Sequence, residues 1–478
     1  MGSSNSNELI KLTATALRAR LLAGEISPLE VVEAYAARIE LVNPKVNALP
    51  SLCLERALEQ AKKMTNERTA PAAQGLLWGL PLAIKDYNDL EGVPTTYGSP
   101  LFADNIPERS DATVRKLLGS GAIPIGKSNV PEWAGAHTFN PVFGHTINPW
   151  SSEVSAGGSS GGSAVALATG MTALATGNDL GGSLRVPASF NGVVGLRPTP
   201  GRVPRGARLP AFDTLWVEGP MGRCVADVAL MLDGGCGFDP DDPLSFSSEG
   251  ESFVDALSLR DMPARVAFSP DLGAVPVERE VADLCREAAG RFQELGSEVV
   301  EASPDFSEVI EAFQTLRGIL IAQMMAEMLS QYRDQIAPEI VWNIERGLAV
   351  TNAELLNAKR VRARLYRKMT SFFESYDLLL CPAVSVAPFP KDQRYVEMIN
   401  GRPTSTYIDW IAITFAITMT SCPAMSLPIG LTKTGLPVGL QLVAPPRAEG
   451  ALLRAAHRME EIFACAAMVP IDPQAATA

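Results

Sequence analysis

The sequence contains only three histidines among 478 residues, and this shortage excludes several kinds of site. His137 and His145 lie in a segment rich in proline and glycine, and His457 lies on a predicted C-terminal helix. A Ser-His-Asp hydrolase needs a histidine beside its nucleophile, and neither HExxH nor a His/Cys cluster is present to bind a metal. The pattern GxSxG occurs at 157–161 and 158–162, but polar residues precede it where a nucleophile elbow requires a buried strand. We therefore predict loop or surface histidines, no metal site and no histidine-based hydrolase.

Cysteine pairs and nucleotide-binding motifs are also missing. The seven cysteines are scattered, odd in number and without a CxxC pair, which is typical of structural thiols in a reducing compartment. No P-loop or strand-borne GxGxxG occurs, and the glycines at 157–163 lack the Lys-Ser/Thr that follows a phosphate cradle. The N-terminus lacks the apolar core of a signal peptide. We predict a cytoplasmic protein without a metal or organic cofactor.

Basic residues are fewer than acidic ones, 41 against 53, which gives a net charge of −12. Contact with nucleic acid or anionic lipid depends on clustered lysine and arginine, so neither partner is expected. The most apolar charge-free run, 410–432, is long enough for a transmembrane helix. It contains Pro423, Pro428, four threonines and two serines, which fit a buried strand and turn better, so no membrane span is predicted.

Apolar residues make up 46% of the chain, which is enough to bury a large core. The first seventy or so residues have a helical pattern, and from Leu76 short apolar strands alternate with helices, which indicates a largely parallel sheet covered on both faces. A helical excursion at about 306–376 interrupts this pattern, and the segments MSLPIGL and PVGLQLV form a predicted hairpin. We predict an α/β protein with one large α/β/α domain at 71–478 and an N-terminal helical segment at 1–70 packed on it.

Two glycine-flanked serine clusters lie within the segment AGGSSGGSAVALATGMTALATGNDLGGSLRVP, residues 156–187. A flexible linker does not need Ala, Val, Leu and Met between its glycines, so we expect a buried segment that holds two fixed turns. At 179–183 the glycines let backbone N–H groups converge into an oxyanion hole, with Ser183 placed to attack the polarised carbonyl. At 158–161 a tight turn can place a serine hydroxyl between Ser183 and a base. The alternative for either cluster alone is an ordinary surface loop.

Because none of the three histidines is expected to lie beside such a serine, another group must act as its base, and Lys85 is the candidate. Lysine has a pKa of about 10.4 in water, and lowering it by about three units to obtain a neutral base costs roughly 4 kcal/mol. Lys85 follows the apolar run 80–84 at the end of a predicted central strand, a position that can impose this burial. The alternative is a strand-end lysine whose amine reaches solvent.

These residues resemble the motifs of the amidase signature family of serine hydrolases. The resemblance covers the chain from the N-terminal helices to the closing helix and is least distinctive at about 240–375. It implies an α/β/α fold around a large mixed sheet. The segments that carry it are LPLAIKD, GKSNVPEW, FGHTINPW, GGSSGGSAVALATGMTALATGNDLGGSLRVPASFNGVVGLRPTPGRVP and PAMSLPIGLTKTGLPVGLQLVAPP.

The resemblance also implies roles for individual residues. Lys85 is expected to be the general base, Ser159 a bridging serine that follows a cis peptide bond, and Ser183 the nucleophile. No cofactor and no metal are implied. The N–H groups of the oxyanion hole are expected from Leu180, Gly181, Gly182 and Ser183.

Neighbouring positions complete this expectation. Asp179 and Arg185 are expected to support the loop instead of acting on the substrate. The sequence departs from the family pattern at Leu180, where many members have threonine, and at Asn191, where many have cysteine. Neither position belongs to the triad, although Leu180 makes its corner of the site more apolar.

The implied reaction is hydrolysis of the C–N bond of an amide through an acyl-enzyme. Because no charge clamp is recognisable, we expect hydrophobic or aryl amides and anilides, as in aryl acylamidases, with carbamates (urethanes) and esters as further candidates. The partner is then a small-molecule substrate, and the chain is expected to be a monomer or a homodimer. Apolar residues of the excursion are typical of a core, yet they are also candidates for a pocket lining: Phe313, Met324, Met325, Met328, Tyr332 and Trp342.

Two other functions remain open. One is the glutamine amidohydrolase subunit of a tRNA-dependent amidotransferase complex, which six basic residues at 359–368 favour, although a solvated helix face explains them more simply. That enzyme must also hold the charged ends of glutamine, and no such clamp is recognisable. The other is a catalytically silent binding module, against which the intact Lys85, Ser159 and Ser183 argue.

Overall fold

The computed structural model describes residues 7–67, 74–133, 135–206 and 209–474. Eleven strands of this part of the chain form one sheet, and four shorter strands form two separate hairpins, β4 with β5 and β12 with β13. In chain order the strands are β1 (Ser51–Leu52), β2 (Pro81–Lys85), β3 (Ile123–Ser128), β4 (Phe139–Asn140), β5 (Gly144–His145), β6 (Leu174–Asp179), β7 (Val194–Arg197), β8 (Val217–Gly222), β9 (Arg265–Phe268), β10 (Glu298–Glu301), β11 (Leu378–Pro382), β12 (Met398–Ile399), β13 (Arg402–Pro403), β14 (Ala424–Leu431) and β15 (Pro437–Val443).

The order of strands in the large sheet is β1-β3-β2-β6-β8-β7-β14-β15-β11-β9-β10. Parallel pairs lie toward the two sides, where β2 pairs with β3 and β6, and β9 pairs with β10 and β11. From β6 to β11 the strands in the centre pair antiparallel. The predicted α/β/α fold with a large mixed sheet is confirmed. The largely parallel sheet predicted from the alternation is wrong for the centre, because β7 leads to β8 and β14 to β15 with no helix described between them.

The helices pack against this sheet and against one another. Two helices begin with a capping box, Ser27 with Glu30 and Thr351 with Glu354, each with reciprocal side-chain to backbone hydrogen bonds. The helices are α1 (Ala14–Leu22), α2 (Pro28–Val46), α3 (Leu54–Glu67), α4 (Ala112–Gly119), α5 (Gly161–Ala168), α6 (Arg185–Asn191), α7 (Val225–Gly235), α8 (Phe253–Ala256), α9 (Arg279–Gly290), α10 (Val309–Tyr332), α11 (Pro338–Ala349), α12 (Asn352–Phe372), α13 (Ala412–Thr418) and α14 (Glu449–Phe463).

The charge-free run at 410–432 forms two short elements. Its first half is the buried helix α13 and its second half is the strand β14, which turns into β15 as the predicted hairpin. The prediction of strand and turn is therefore right for the second half and wrong for the first. Within the described ranges, no helix has the length and apolarity to cross a membrane.

The helical excursion at 306–376 is present as the three helices α10, α11 and α12. The N-terminal helix α2 packs on the main body, since Val32, Ile39 and Val42 share a buried cluster with Val165 and Leu167 of α5. The boundary between 1–70 and 71–478 falls in the segment 68–73, which lies outside the described residues, so this division stays a prediction.

Candidate active site

Lys85 is the last residue of β2, a strand in which every residue is buried. Its side chain is 0% exposed, so it does not reach solvent. The amine Nζ lies 2.7 Å from Ser159 Oγ, 2.8 Å from Ser160 Oγ and 2.6 Å from Asn178 Oδ1. The ring of Tyr87 lies 4.8 Å from Nζ and closes another side. The predicted burial of this lysine at a strand end is confirmed.

Burial lowers the pKa of Lys85 well below its ordinary value of 10.5, although the attraction of Glu218 and Asp179 favours the ammonium form. The three contacts fit a neutral amine. Its two N–H bonds can donate to Asn178 and Ser160, and its lone pair can accept from the Ser159 hydroxyl. In its neutral form, this amine has a lone pair that can accept a proton.

The first serine cluster places two hydroxyl groups against this amine. The peptide bond between Gly158 and Ser159 is cis, as the family resemblance implies. Ser160 stands immediately before α5, and its backbone N–H donates to the Ser183 carbonyl over 3.3 Å, which ties the two clusters together. Although Lys85 contacts both hydroxyls, Ser159 is the one that also lines the cavity described next.

Ser159 and Ser183 line a common cavity of about 360 Å³. Ser183 is partly exposed, and its hydroxyl has no hydrogen-bond partner among the described residues. The structure therefore brings Lys85 into direct contact with Ser159, and it places Ser183 beside Ser159 without a hydrogen bond between the two hydroxyls. The other lining residues are Gly135, Ala136, Asn178, Leu180, Gly181, Trp216, Phe313, Arg317, Ile408 and Ile411.

The backbone N–H groups of the glycine turn after β6 are of two kinds: one donates to an acceptor among the described residues, and the others have no such acceptor. The Gly182 N–H donates to Asp179 Oδ1 over 2.9 Å, so it is not available to a substrate oxygen as the sequence analysis expected. Along the described chain, the N–H groups of Leu180, Gly181 and Ser183 have no protein acceptor. Three of the four expected donors are thus free to serve an oxyanion.

Asp179 holds this turn in place from below. Arg185 donates to both of its carboxylate oxygens, over 2.9 and 2.8 Å, and Arg197 lies 3.3 Å away. Burial opposes ionisation of Asp179, but the two guanidinium groups lower its pKa to about 2. The contacts agree with the supporting role expected for Asp179 and Arg185.

Several cavity residues carry no signal that identifies them from the sequence. Trp216 and Arg317 are two of them: they lie far apart along the chain and meet only in the fold, whereas Phe313, one turn before Arg317 on α10, was already a candidate. Arg317 is buried, and its guanidinium donates to Asn343 Oδ1 and, over 2.6 Å, to the Tyr407 hydroxyl. A cation therefore borders a mainly apolar cavity, which the sequence analysis did not foresee.

The histidines lie elsewhere. His137 is buried. Its ring nitrogens are hydrogen-bonded, Nδ1 to the Ser155 hydroxyl over 2.7 Å and Nε2 to the Lys391 carbonyl over 2.8 Å. Burial lowers its pKa to about 4. Neither His145 nor His457 lines the Ser183 cavity. No histidine is placed to act on Ser183.

Comparison with known proteins agrees with this geometry. The family model "Amidase" matches residues 30–453. An acylamidase of Rhodococcus erythropolis is 35% identical over 96% of this chain and 97% of its own length. A glutamyl-tRNA(Gln) amidotransferase subunit of Moorella thermoacetica is also 35% identical, over 95% of this chain and 97% of its own. A crystal structure of a bacterial aryl acylamidase of the amidase signature enzymes superimposes with a TM-score of 0.88 at 27% identity, over 96% of this chain and 99% of the other.

The chain belongs to the amidase family. This amidase is an amidohydrolase, and the predicted family and reaction class are confirmed.

A second cavity of about 620 Å³ adjoins the first in this amidase, and Trp216 lines both. Of the excursion residues singled out from the sequence, Met324 and Met325 line this second cavity and Phe313 lines the first. Tyr332 and Trp342 are exposed and line neither cavity. Met328 also lines neither cavity, but it packs against the apolar cluster that contains Met325. The second cavity is also lined by Tyr87, Tyr97, Asp111, Trp133, Gly206, Leu209, Glu218, Ile321 and Ile340.

Proposed function

We propose that this amidase hydrolyses hydrophobic or aryl amides through an acyl-enzyme, with Ser183 as nucleophile, Ser159 as proton relay and Lys85 as general base. One observation carries most of the proposal. The Lys85 amine is fully buried and lies 2.7 Å from Ser159, which shares an apolar cavity with Ser183. The relatives named acylamidase and aryl acylamidase support the same class of substrate.

The first half of the reaction follows from these positions. Neutral Lys85 accepts the proton of Ser159 while Ser159 accepts that of Ser183, and Ser183 Oγ bonds to the carbonyl carbon. The free N–H groups of the turn at 180–183 stabilise the negative charge that develops on the carbonyl oxygen. The relay then returns the proton to the leaving nitrogen, the C–N bond breaks and the amine departs.

The second half uses the same groups. Water loses a proton to the relay and attacks the acyl carbon, and Ser183 regains its proton as the acid leaves. Carbamates pass through the same steps and lose carbon dioxide afterwards. Esters react as well, since an alkoxide leaves more easily than an amine.

The shape of the site supports a hydrophobic substrate with an oxygen acceptor. Phe313, Ile408 and Ile411 give apolar walls beside Ser183, and Trp216 separates this cavity from the larger one lined by Met324 and Met325. The guanidinium of Arg317 brings a positive charge to the border of the same cavity. We expect the aryl or alkyl part of the substrate to occupy the apolar walls.

A panel of a nitroanilide, an aryl acylamide and an aryl carbamate tests the proposal. We expect turnover by the purified chain, and a fall in kcat/KM of at least about 10³-fold for Lys85→Ala and Ser183→Ala. Ser160→Ala is the matched control for Ser159→Ala, because Lys85 contacts both hydroxyls and, of these two serines, only Ser159 lines the cavity of Ser183. We expect the larger loss for Ser159→Ala. Parental rates in Lys85→Ala or Ser183→Ala would contradict the proposal.

The amidotransferase subunit is the second candidate, because a relative with that name is 35% identical over nearly the whole chain. Two of the six basic residues of α12 are ion-paired within the chain: Arg364 with Glu308, and Lys368 with Asp305. Glutaminase assays separate the two functions. Hydrolysis of anilides without glutaminase activity supports the amidase, and glutamine hydrolysis that needs a partner supports the subunit.

We further propose that the chain works on small molecules without a partner protein, as a monomer or homodimer. Light scattering during turnover tests the assembly state. A serine-directed fluorophosphonate tests the remaining alternative, a silent binding module, since an adduct on Ser183 requires an activated serine.

A further inference from the structure

Asn178 is a neighbour of Lys85, and its amide oxygen and amide nitrogen lie in different surroundings. It lies in β6 and is 1% exposed. Its Oδ1 accepts a hydrogen bond from Lys85 Nζ over 2.6 Å, the shortest of the three contacts of that amine. Its Nδ2 is buried and has no hydrogen-bond partner among the described residues.

The unpartnered Nδ2 belongs to a side chain that lines the cavity of Ser159 and Ser183. A buried N–H group without an acceptor is costly, and nearly all such groups in proteins find one. Because the side chain that carries this group lines the cavity where a substrate must lie, a substrate oxygen is the acceptor that the site can supply.

The neutrality of the Asn178 amide matters for Lys85. A carboxylate in the place of Oδ1 would stabilise the ammonium form and remove the lone pair that accepts the proton. The charged groups that face Lys85 already include Glu218 on β8 and Asp179 on β6, both of which favour the ammonium. Tyr87 presents its ring to the amine, and the buried Lys127–Asp86 ion pair lies beside the end of β2.

The orientation of the amide follows from the donors around it. With Oδ1 toward Lys85, the amine donates to Asn178 and Ser160, and its lone pair is left for the Ser159 hydroxyl. The opposite orientation would direct a second donor at the same lone pair. The observed arrangement thus keeps the lone pair directed at the relay.

We propose that Asn178 is a positioning residue for Lys85 and a hydrogen-bond donor to the substrate: Oδ1 orients the neutral amine, and Nδ2 donates to an oxygen of the bound amide or carbamate. The inference rests on the proposed function of Lys85 and Ser183. It adds a requirement that the substrate present an oxygen acceptor toward the end of β6.

The test compares Asn178→Asp with Asn178→Leu, two variants of similar size, on an aryl anilide across the pH range. For Asn178→Asp we expect the rise of kcat/KM on the acidic side of the pH profile to move to higher pH by at least one unit. At pH values below this rise, activity is then about tenfold or more lower than that of the parent, and it recovers at high pH. For Asn178→Leu we expect an unmoved limb, a fall in kcat of about 10–100-fold and a several-fold rise in KM.

Two results would overturn the inference. If Asn178→Asp keeps the parental pH profile, the side chain does not control the charge of Lys85. If Asn178→Leu keeps the parental KM, Nδ2 does not bind the substrate. Should Asn178→Asp not fold, Asn178→Ser and Asn178→Ala carry the test of positioning: serine keeps a neutral acceptor for Lys85, so equal kcat values in the two variants would overturn it.

The proposed function can be scored separately in the same experiment. Fluorophosphonate labelling of the parent at Ser183 shows whether the serine is activated. A parent that labels and turns over, together with an unchanged Asn178→Asp profile, refutes the inference alone. A parent that does neither refutes the proposed function.

Discussion

Replacing Glu218 with glutamine tests the electrostatics beneath Lys85. Glu218 is 1% exposed and accepts hydrogen bonds from Asn88 and from the Trp216 indole. Burial raises its pKa from 4.5 to about 7. Between these values the native protein keeps the proton that the unfolded chain has lost, so the free energy of unfolding falls as the pH rises through this window.

The magnitude follows from that shift. At about 1.4 kcal/mol per pKa unit, the ionised Glu218 costs the native state about 3 kcal/mol above pH 7, and glutamine carries no such cost. Glutamine also disturbs one hydrogen bond, at about 1 kcal/mol, but equally at every pH. From pH 5 to pH 8, we therefore expect the free energy of unfolding of Glu218→Gln to rise by about 2–3 kcal/mol relative to the parent.

Urea unfolding at pH 5 and pH 8 measures this change. Glu311→Gln is the control, since the Glu311 side chain is 76% exposed and its effect is expected to be the same at both pH values. If Glu218→Gln were instead destabilised more at pH 8 than at pH 5, Glu218 would be the ionised partner of a charged lysine. That result would refute the neutral amine on which the mechanism depends.

Two further predictions concern the walls and the support of the site. Asp179→Asn leaves Arg185 and Arg197 without a buried counter-charge, so we expect the free energy of unfolding, measured in urea, to fall by about 3–5 kcal/mol. An unchanged urea midpoint would contradict the supporting role of Asp179. Arg317→Met keeps the apolar volume but removes the positive charge at the border of the cavity, so we expect KM for an aryl amide to rise about tenfold with a smaller change in kcat. An unchanged KM would show that the charge of Arg317 does not contribute to substrate binding.

The strands and caps that depend on local chemistry were predictable from the sequence. A strand covered on both sides is apolar throughout, which is why LPLAIKD predicted β2 and the burial of Lys85. The cap at Ser27 likewise depends on residues within four positions of one another, since Ser27 and Glu30 exchange reciprocal hydrogen bonds. The direction of neighbouring strands is set by the tertiary path of the chain, and for this reason the antiparallel centre of the sheet was missed. For the same reason, the sequence did not predict that Arg317 and Trp216 line the cavity, since they reach it from distant elements.

The turn at 179–183 combines features that depend on the local sequence with one that depends on the tertiary structure. Glycine spacing at 179–183 predicted that several N–H groups converge, but it could not predict which of them the protein itself would use. Asp179 takes the Gly182 N–H because Arg185 and Arg197 hold its carboxylate in that position, and both arginines arrive from other elements of the fold. The number of donors left for a substrate is therefore a tertiary property of the molecule.

The segment 156–187 explains why the two serine turns stay in register. Between them, α5 and β6 are buried at every position, so neither turn can move without opening the core. Ser163 on α5 donates to the Thr176 carbonyl of β6 over 2.8 Å and lies 2.7 Å from the Ser128 hydroxyl, which links the helix to two strands. Because Lys85 projects from the strand between those two, the base and both turns are fixed to one rigid unit. The apolar residues between the glycines thus fix the distances between Lys85 and the two serine turns.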